Sequence, residues 1–191
     1  MKRSSMSYFL GFVPDKESVK EIQNVVKEAN SLFSDFGIPV RWVKPDTYHI
    51  TLYYLGENYP IFNQMLLKKK LSKIKFREFK ISFQNIKVGI SRSYKELVYL
   101  DLSKGGEELR ELLSQVRREI GGKDTSLFIP HLTLGRVSED LSKEEYRNVS
   151  ADIAKLSKKL DLDDIEFTVD TLYLIQNKNG VYSFKMKFEA R

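Results

Sequence analysis

Cysteine is absent from the 191 residues, which excludes disulfides, thiol nucleophiles and cysteine-ligated metal centres. Histidine is nearly as scarce, at two, one short of the three protein ligands that zinc usually takes. Neither histidine sits in an HExxH-type pattern, and no Asp or Glu shares its strand face, so no metal or other cofactor is expected. Apolar runs stop after a few residues, far short of the roughly 20 of a membrane-spanning helix. The apolar stretch 8–13 ends at Pro14-Asp15 without a small-residue cleavage site. No secretory signal is therefore expected, no membrane partner either, and a cytoplasmic location is. Linkers rich in Pro, Gly or Ser and low-complexity tracts are also missing. The chain is read as one domain over 1–191.

What is present is the balance of a globular protein: 41% hydrophobic and 30% charged residues. Thirty-two Lys and Arg against 26 Asp and Glu leave a net charge of +6, a moderate excess compatible with a polyanionic partner. Lys68, Lys69, Lys70, Lys73, Lys75, Arg77 and Lys80 fall within thirteen residues, against the single acid Glu78. Two readings of that run stay open, a solvated helix face or a patch for a nucleic-acid backbone.

Periodicity gives the elements. Stretch 8–13 reads as a strand. Val19, Ile22, Val25, Val26, Ala29, Leu32 and Phe33 recur three and four apart and mark a helix over 17–36, ended by Gly37. Strands follow at 40–43 and 48–55, a short helix at 62–73, and strands at 79–88 and 97–102 joined through 89–94. A second long helix covers 107–120, a strand 129–137, and two short helical stretches 143–159. Stretches 167–176 and 181–189 flank Asn177-Lys178-Asn179-Gly180, a hairpin signal. Neighbouring strands with short connections imply antiparallel pairing in an α+β fold. A long helix twice precedes a histidine-bearing strand, which suggests two similar lobes.

Both histidines stand in one local pattern, His49-Ile50-Thr51-Leu52 and His131-Leu132-Thr133-Leu134. With six threonines in 191 residues, a threonine two places after a given histidine has a chance of about 3%, and after both of about 0.1%. Side chains two apart on a strand share a face. His49, Thr51 and Tyr53 are expected on one surface, with Ile50, Leu52 and Tyr54 on the other. His131, Thr133 and Gly135 are expected together likewise, Gly135 leaving its strand bare for a ligand's approach. Arg136, five places after His131, points away from that surface on a regular strand, unless a bulge turns it. Tyr53 is a candidate for stacking on a base or for plain packing, and Trp42 reads as core. Two imidazoles with ordinary pKa values near 6.5 suit opposed proton transfers. Two hydroxyls suit phosphoryl oxygens. The chemistry this equipment fits is metal-free in-line cleavage of a phosphodiester.

At these motifs the sequence resembles the two-histidine (2H) phosphoesterase superfamily, and within it the RNA 2′,3′-cyclic phosphodiesterases long labelled 2′-5′ RNA ligases. The resemblance also takes in Val40-Arg41-Trp42-Val43-Lys44-Pro45, Leu55-Gly56-Glu57, Phe128-Ile129-Pro130 and Gly135-Arg136. It implies a bilobal fold, two antiparallel sheets facing across a central cleft with helices on the outer faces. It implies a monomer acting on RNA with cyclic phosphate ends, or on related nucleotides, opening the ring to a 2′-phosphate. His49 would be the general acid, His131 the general base, and Thr51 and Thr133 would hold the phosphate, with Arg136 a secondary candidate. Ser126 and Ile129 stand where many relatives carry arginine. Ligation or cleavage of 2′-5′ linkages, turnover of small cyclic nucleotides, and a noncatalytic RNA-binding module are the alternatives.

Overall fold

The computed structural model describes residues 6–89, 96–121, 128–137 and 141–191. The described strands are β1 (Met6–Phe12), β2 (Val40–Trp42), β3 (Ile50–Glu57), β4 (Phe79–Val88), β5 (Leu97–Lys104), β6 (His131–Val137), β7 (Glu166–Val169), β8 (Thr171–Lys178) and β9 (Val181–Glu189). The helices are α1 (Lys16–Asp35), α2 (Ile61–Leu71), α3 (Gly106–Ile120) and α4 (Lys143–Ser157). Ser126 and the connection expected near 89–94 lie in whole or in part outside the described residues.

Local chemistry explains the helices. Asp15 caps α1 by accepting the Ser18 N–H at 2.8 Å, and Ile22, Val25, Ala29 and Phe33 form its buried stripe. Leu109, Leu112, Leu113 and Val116 do the same for α3. In place of the two short helices expected over 143–159, the chain forms the single helix α4. A capping box between Ser142 and Glu145 starts it, and Val149 and Ile153 bury one continuous face. The single strand expected over 167–176 is two. The chain breaks at Asp170, because β7 pairs with β4 whereas β8 pairs with β1.

The strands run in the order β7-β4-β5-β6-β3-β1-β8-β9, with β2 added beside β6. All pairings are antiparallel. The order divides into two four-stranded halves of matching plan, each with a histidine strand innermost. In each half a strand, a long helix and that inner strand come in turn: β1, α1, β3 and β5, α3, β6. The strands of this α+β fold form one nine-stranded sheet, whose two halves meet, among the described residues, at the pairing of Ile50 with Leu132. Phe12, Ile50, Leu132 and Leu100 make one continuous row there, each 1% exposed or less. That row belongs to the core, which lies between the sheet and its helices. Burying four large apolar side chains contributes about 1.5–3 kcal/mol each and clamps the halves together.

Candidate active site

Because Ile50 and Leu132 face the core, the residues flanking them face the other way. Extending the register by one residue sets Thr51 beside His131 and His49 beside Thr133. The two motifs are thus head to tail about the joint. Their imidazoles sit diagonally on one open face, each next to the other motif's hydroxyl. Both rings are half-buried.

Each imidazole is anchored in the same way. His49 Nδ1 lies 2.8 Å from the carbonyl oxygen of Thr47, and His131 Nδ1 lies 2.8 Å from that of Ile129. A carbonyl can only accept, so in both rings Nδ1–H donates and the neutral form leaves Nε2 with a free lone pair. Aromatic neighbours fix the ring planes. Phe9 and Tyr182 flank His49 at centroid distances of 4.7 and 5.2 Å, and Tyr99 meets His131 edge-on at 5.5 Å. Burial holds His49 below the usual histidine value. The Thr47 carbonyl opposes that shift and the nearby His131 adds to it. Burial also lowers His131, against the Ile129 carbonyl, with Arg136 lowering it further and Asp101 pulling it up. Asp101, on β5, stands directly opposite His131 on β6 and is ion-paired with Lys87. Among the described residues no group of three or more His, Asp or Glu is arranged to hold a metal.

Beyond the threonines, both strands depart from simple alternation at the same place. Against β1, Thr51 pairs with Gly11 but Tyr53 with Leu10, so Leu52 is an extra residue. Against β5, Thr133 pairs with Tyr99 but Gly135 with Val98, so Leu134 is extra. Each is a β-bulge, and each reverses the facing of the residues beyond it. Tyr53, expected beside the histidines, therefore shares the face of Leu10 and packs on the core. Tyr54, expected inside, shares the face of Phe9 and is 56% exposed. Gly135 is buried, and the space above it is taken by protein rather than left to a ligand. A Cβ there would lie 2.8 Å from the Trp42 ring and 2.9 Å from Val40. Trp42 is half-buried against Phe33 and donates its indole N–H to Asn30 at 2.7 Å. The bulge turns Arg136 onto the face of Leu97, Tyr99 and Thr133. There its guanidinium donates to Glu96 at 2.6 Å.

The model of the 2′-5′ RNA ligase superfamily matches residues 20–181. An RNA 2′,3′-cyclic phosphodiesterase of Archaeoglobus fulgidus is 26% identical over 136 residues, 69% of this chain and 73% of its own. Another of that name from Aquifex aeolicus is 26% identical over 138 residues, 68% of this chain and 69% of its own. Among solved structures, E. coli LigT complexed with 3′-AMP superposes with a TM-score of 0.70 over 97% of this chain and 98% of that one, at 18% identity. That likeness speaks for the fold.

Proposed function

The chain belongs to the 2′-5′ RNA ligase superfamily, and on that premise we propose that it is an RNA 2′,3′-cyclic phosphodiesterase. It opens a 2′,3′-cyclic phosphate end to a 2′-phosphate and a free 3′-hydroxyl. The observation that carries the reading is the matched pair of imidazoles, each with Nδ1 bound to a backbone carbonyl and Nε2 left for substrate. The name borne by the relatives from Archaeoglobus fulgidus and Aquifex aeolicus supports the reaction class.

In this reading the cyclic phosphate lies between the rings. Nε2 of His131 takes a proton from water as the water oxygen bonds to phosphorus. The P–O3′ bond breaks on the opposite side, and Nε2–H of protonated His49 donates to the departing O3′. One proton enters His131, one leaves His49, and the transition state carries its extra charge on the phosphoryl oxygens. The Thr51 and Thr133 hydroxyls donate to those oxygens. Arg136 adds positive charge on the same face, tempered by Glu96. The assignment of His49 as acid and His131 as base follows the family pattern, since the two anchors are alike.

Incubating an oligonucleotide ending in a 2′,3′-cyclic phosphate with the protein in excess chelator tests the reading. The expected product is the 2′-phosphomonoester alone. No product, or a 3′-phosphate, contradicts it.

A further inference from the structure

The two halves match in plan, in motif and in the carbonyl that anchors each ring, yet they differ in the residue opposite each histidine on the next strand. In the second half Asp101 stands directly opposite His131, which puts their β-carbons about 4.5–5.5 Å apart on one face. In the first half, extending the β1–β3 register by one residue sets Val13 opposite His49. Matching positions thus hold a carboxylate beside one imidazole and an aliphatic side chain beside the other.

Asp101 is also held in place. Lys87, from β4, pairs with its Oδ2, and the Gln84 amide donates to the same oxygen at 3.2 Å. Gln84 is the extra residue of a bulge in β4, between Phe83 opposite Leu102 and Asn85 opposite Asp101. Its amide also donates to the Leu102 carbonyl at 3.0 Å, so the clamp is fixed at both ends. The Asp101 side chain is 17% exposed, and a charge so covered is screened less than one in open solvent.

The other charges around this pair differ between the two rings. On His49 the charge that acts is His131 itself. On His131 two act in opposite directions, Arg136 and Asp101, with Arg136 in turn bound to Glu96. Tyr99, beside Asp101 on β5, is pushed up to about 12 by burial first and by Asp101 next, so it stays neutral. Glu107, Glu108 and Arg110 of α3 line a pocket together with Asp101. A base at His131 must become a cation on the face that carries Arg136, and Asp101 is the anion opposite it.

We propose that Asp101 is a positioning residue acting through His131: it breaks the equivalence of the two rings by supplying the counter-charge for the proton that His131 takes from water. This rests on the phosphodiesterase reading for the source of that proton. Lys87 keeps the carboxylate from repelling the phosphate and sets how much of its charge His131 meets. The contribution grows only as His131 becomes an imidazolium, so it belongs to the transition state rather than to substrate binding.

Nitrogen-15 NMR titration of both rings in the wild type, Asp101→Asn and Lys87→Gln tests it without requiring turnover. Asp101→Asn keeps the shape of the side chain and an oxygen for Gln84, so the fold should stay. It should lower the His131 titration midpoint by about 0.5–1 pH unit, less than a bare ion pair would give, because Lys87 shields the charge. Lys87→Gln, at a half-exposed side chain, should raise that midpoint, and both variants should move His49 much less. On a cyclic-ended oligonucleotide at pH 7, Asp101→Asn should lower kcat about three- to ten-fold, the same change read as a rate, with no rise in KM. An unmoved His131 midpoint in Asp101→Asn, or shifts of the same sign in both variants, overturns the proposal. So does a rise in KM with kcat unchanged. If the midpoints move as expected while no cyclic end is opened, the bias on His131 stands and the phosphodiesterase reading fails.

Discussion

A neutral imidazole carries one proton, and the carbonyls of Thr47 and Ile129 claim it for Nδ1 in His49 and in His131. Each ring therefore presents Nε2 as an acceptor when neutral and as a donor when protonated. Replacing either ring by Ala should lower kcat by roughly 10²–10⁴. The double variant should be little worse than the poorer single one, because the pair acts as a unit. Circular dichroism should find the fold unchanged. Burial also sets the pH profile. A base works above its pKa and an acid below, and both rings are held below the usual 6.5. Both limbs of the kcat/KM bell should shift toward acid, with activity falling between pH 6.5 and 8. An optimum above pH 7.5 would contradict the burial argument.

At the scale of elements, the joint between the halves tolerates little. A Cβ at Gly11 would stand 2.6 Å from the Ile50 carbonyl oxygen, backbone that cannot swing aside. Gly11→Ala should cost about 1–3 kcal/mol in denaturant unfolding and lower kcat, because it pushes on the strand that carries His49 and Thr51. Ser142→Ala removes a cap of α4, so it should cost about 1 kcal/mol and leave activity alone. The same elements mark how far sequence reasoning reaches. Apolar spacing locates α1 and α3 closely, because a buried stripe is the direct imprint of one face on the core, whereas in β9 a register shift at Lys185 breaks the expected alternation and leaves Phe184 52% exposed. The repeated His-x-Thr pattern likewise puts two imidazoles and two hydroxyls on one face. The bulges at Leu52 and Leu134 leave no such imprint. A strict two-residue period has no sign for an inserted residue, so alternation alone exchanges Tyr53 with Tyr54 and leaves Gly135 open. The break at Asp170 escapes the sequence for a related reason. Strands β7 and β8 are both apolar and alternating, and nothing local tells that they join different halves.

At the scale of the molecule, the excess positive charge is only partly available to a polyanion. Within the basic run, Lys70 donates to the carbonyl of Ile120 at 3.3 Å at the end of α3. Lys73 pairs with Glu119 at 3.8 Å, and Lys80 with Glu166 at 2.5 Å. These contacts favour the solvated structural face over an RNA track. Lys69→Ala should therefore change turnover of a cyclic-ended oligonucleotide by less than about two-fold at physiological salt, where a lost phosphate contact would weaken binding and flatten the salt dependence. A ten-fold loss confined to longer RNAs would reverse that view. Everything else depends on the two halves bringing their imidazoles to one phosphate. Nitrogen-15 NMR of the histidine rings, recorded above pH 7 while inorganic phosphate is added, tests this most directly. The account predicts two neutral Nδ1–H tautomers whose Nε2 signals move together with a single binding constant. An Nε2–H tautomer at either ring, or a response from one ring alone, would contradict it.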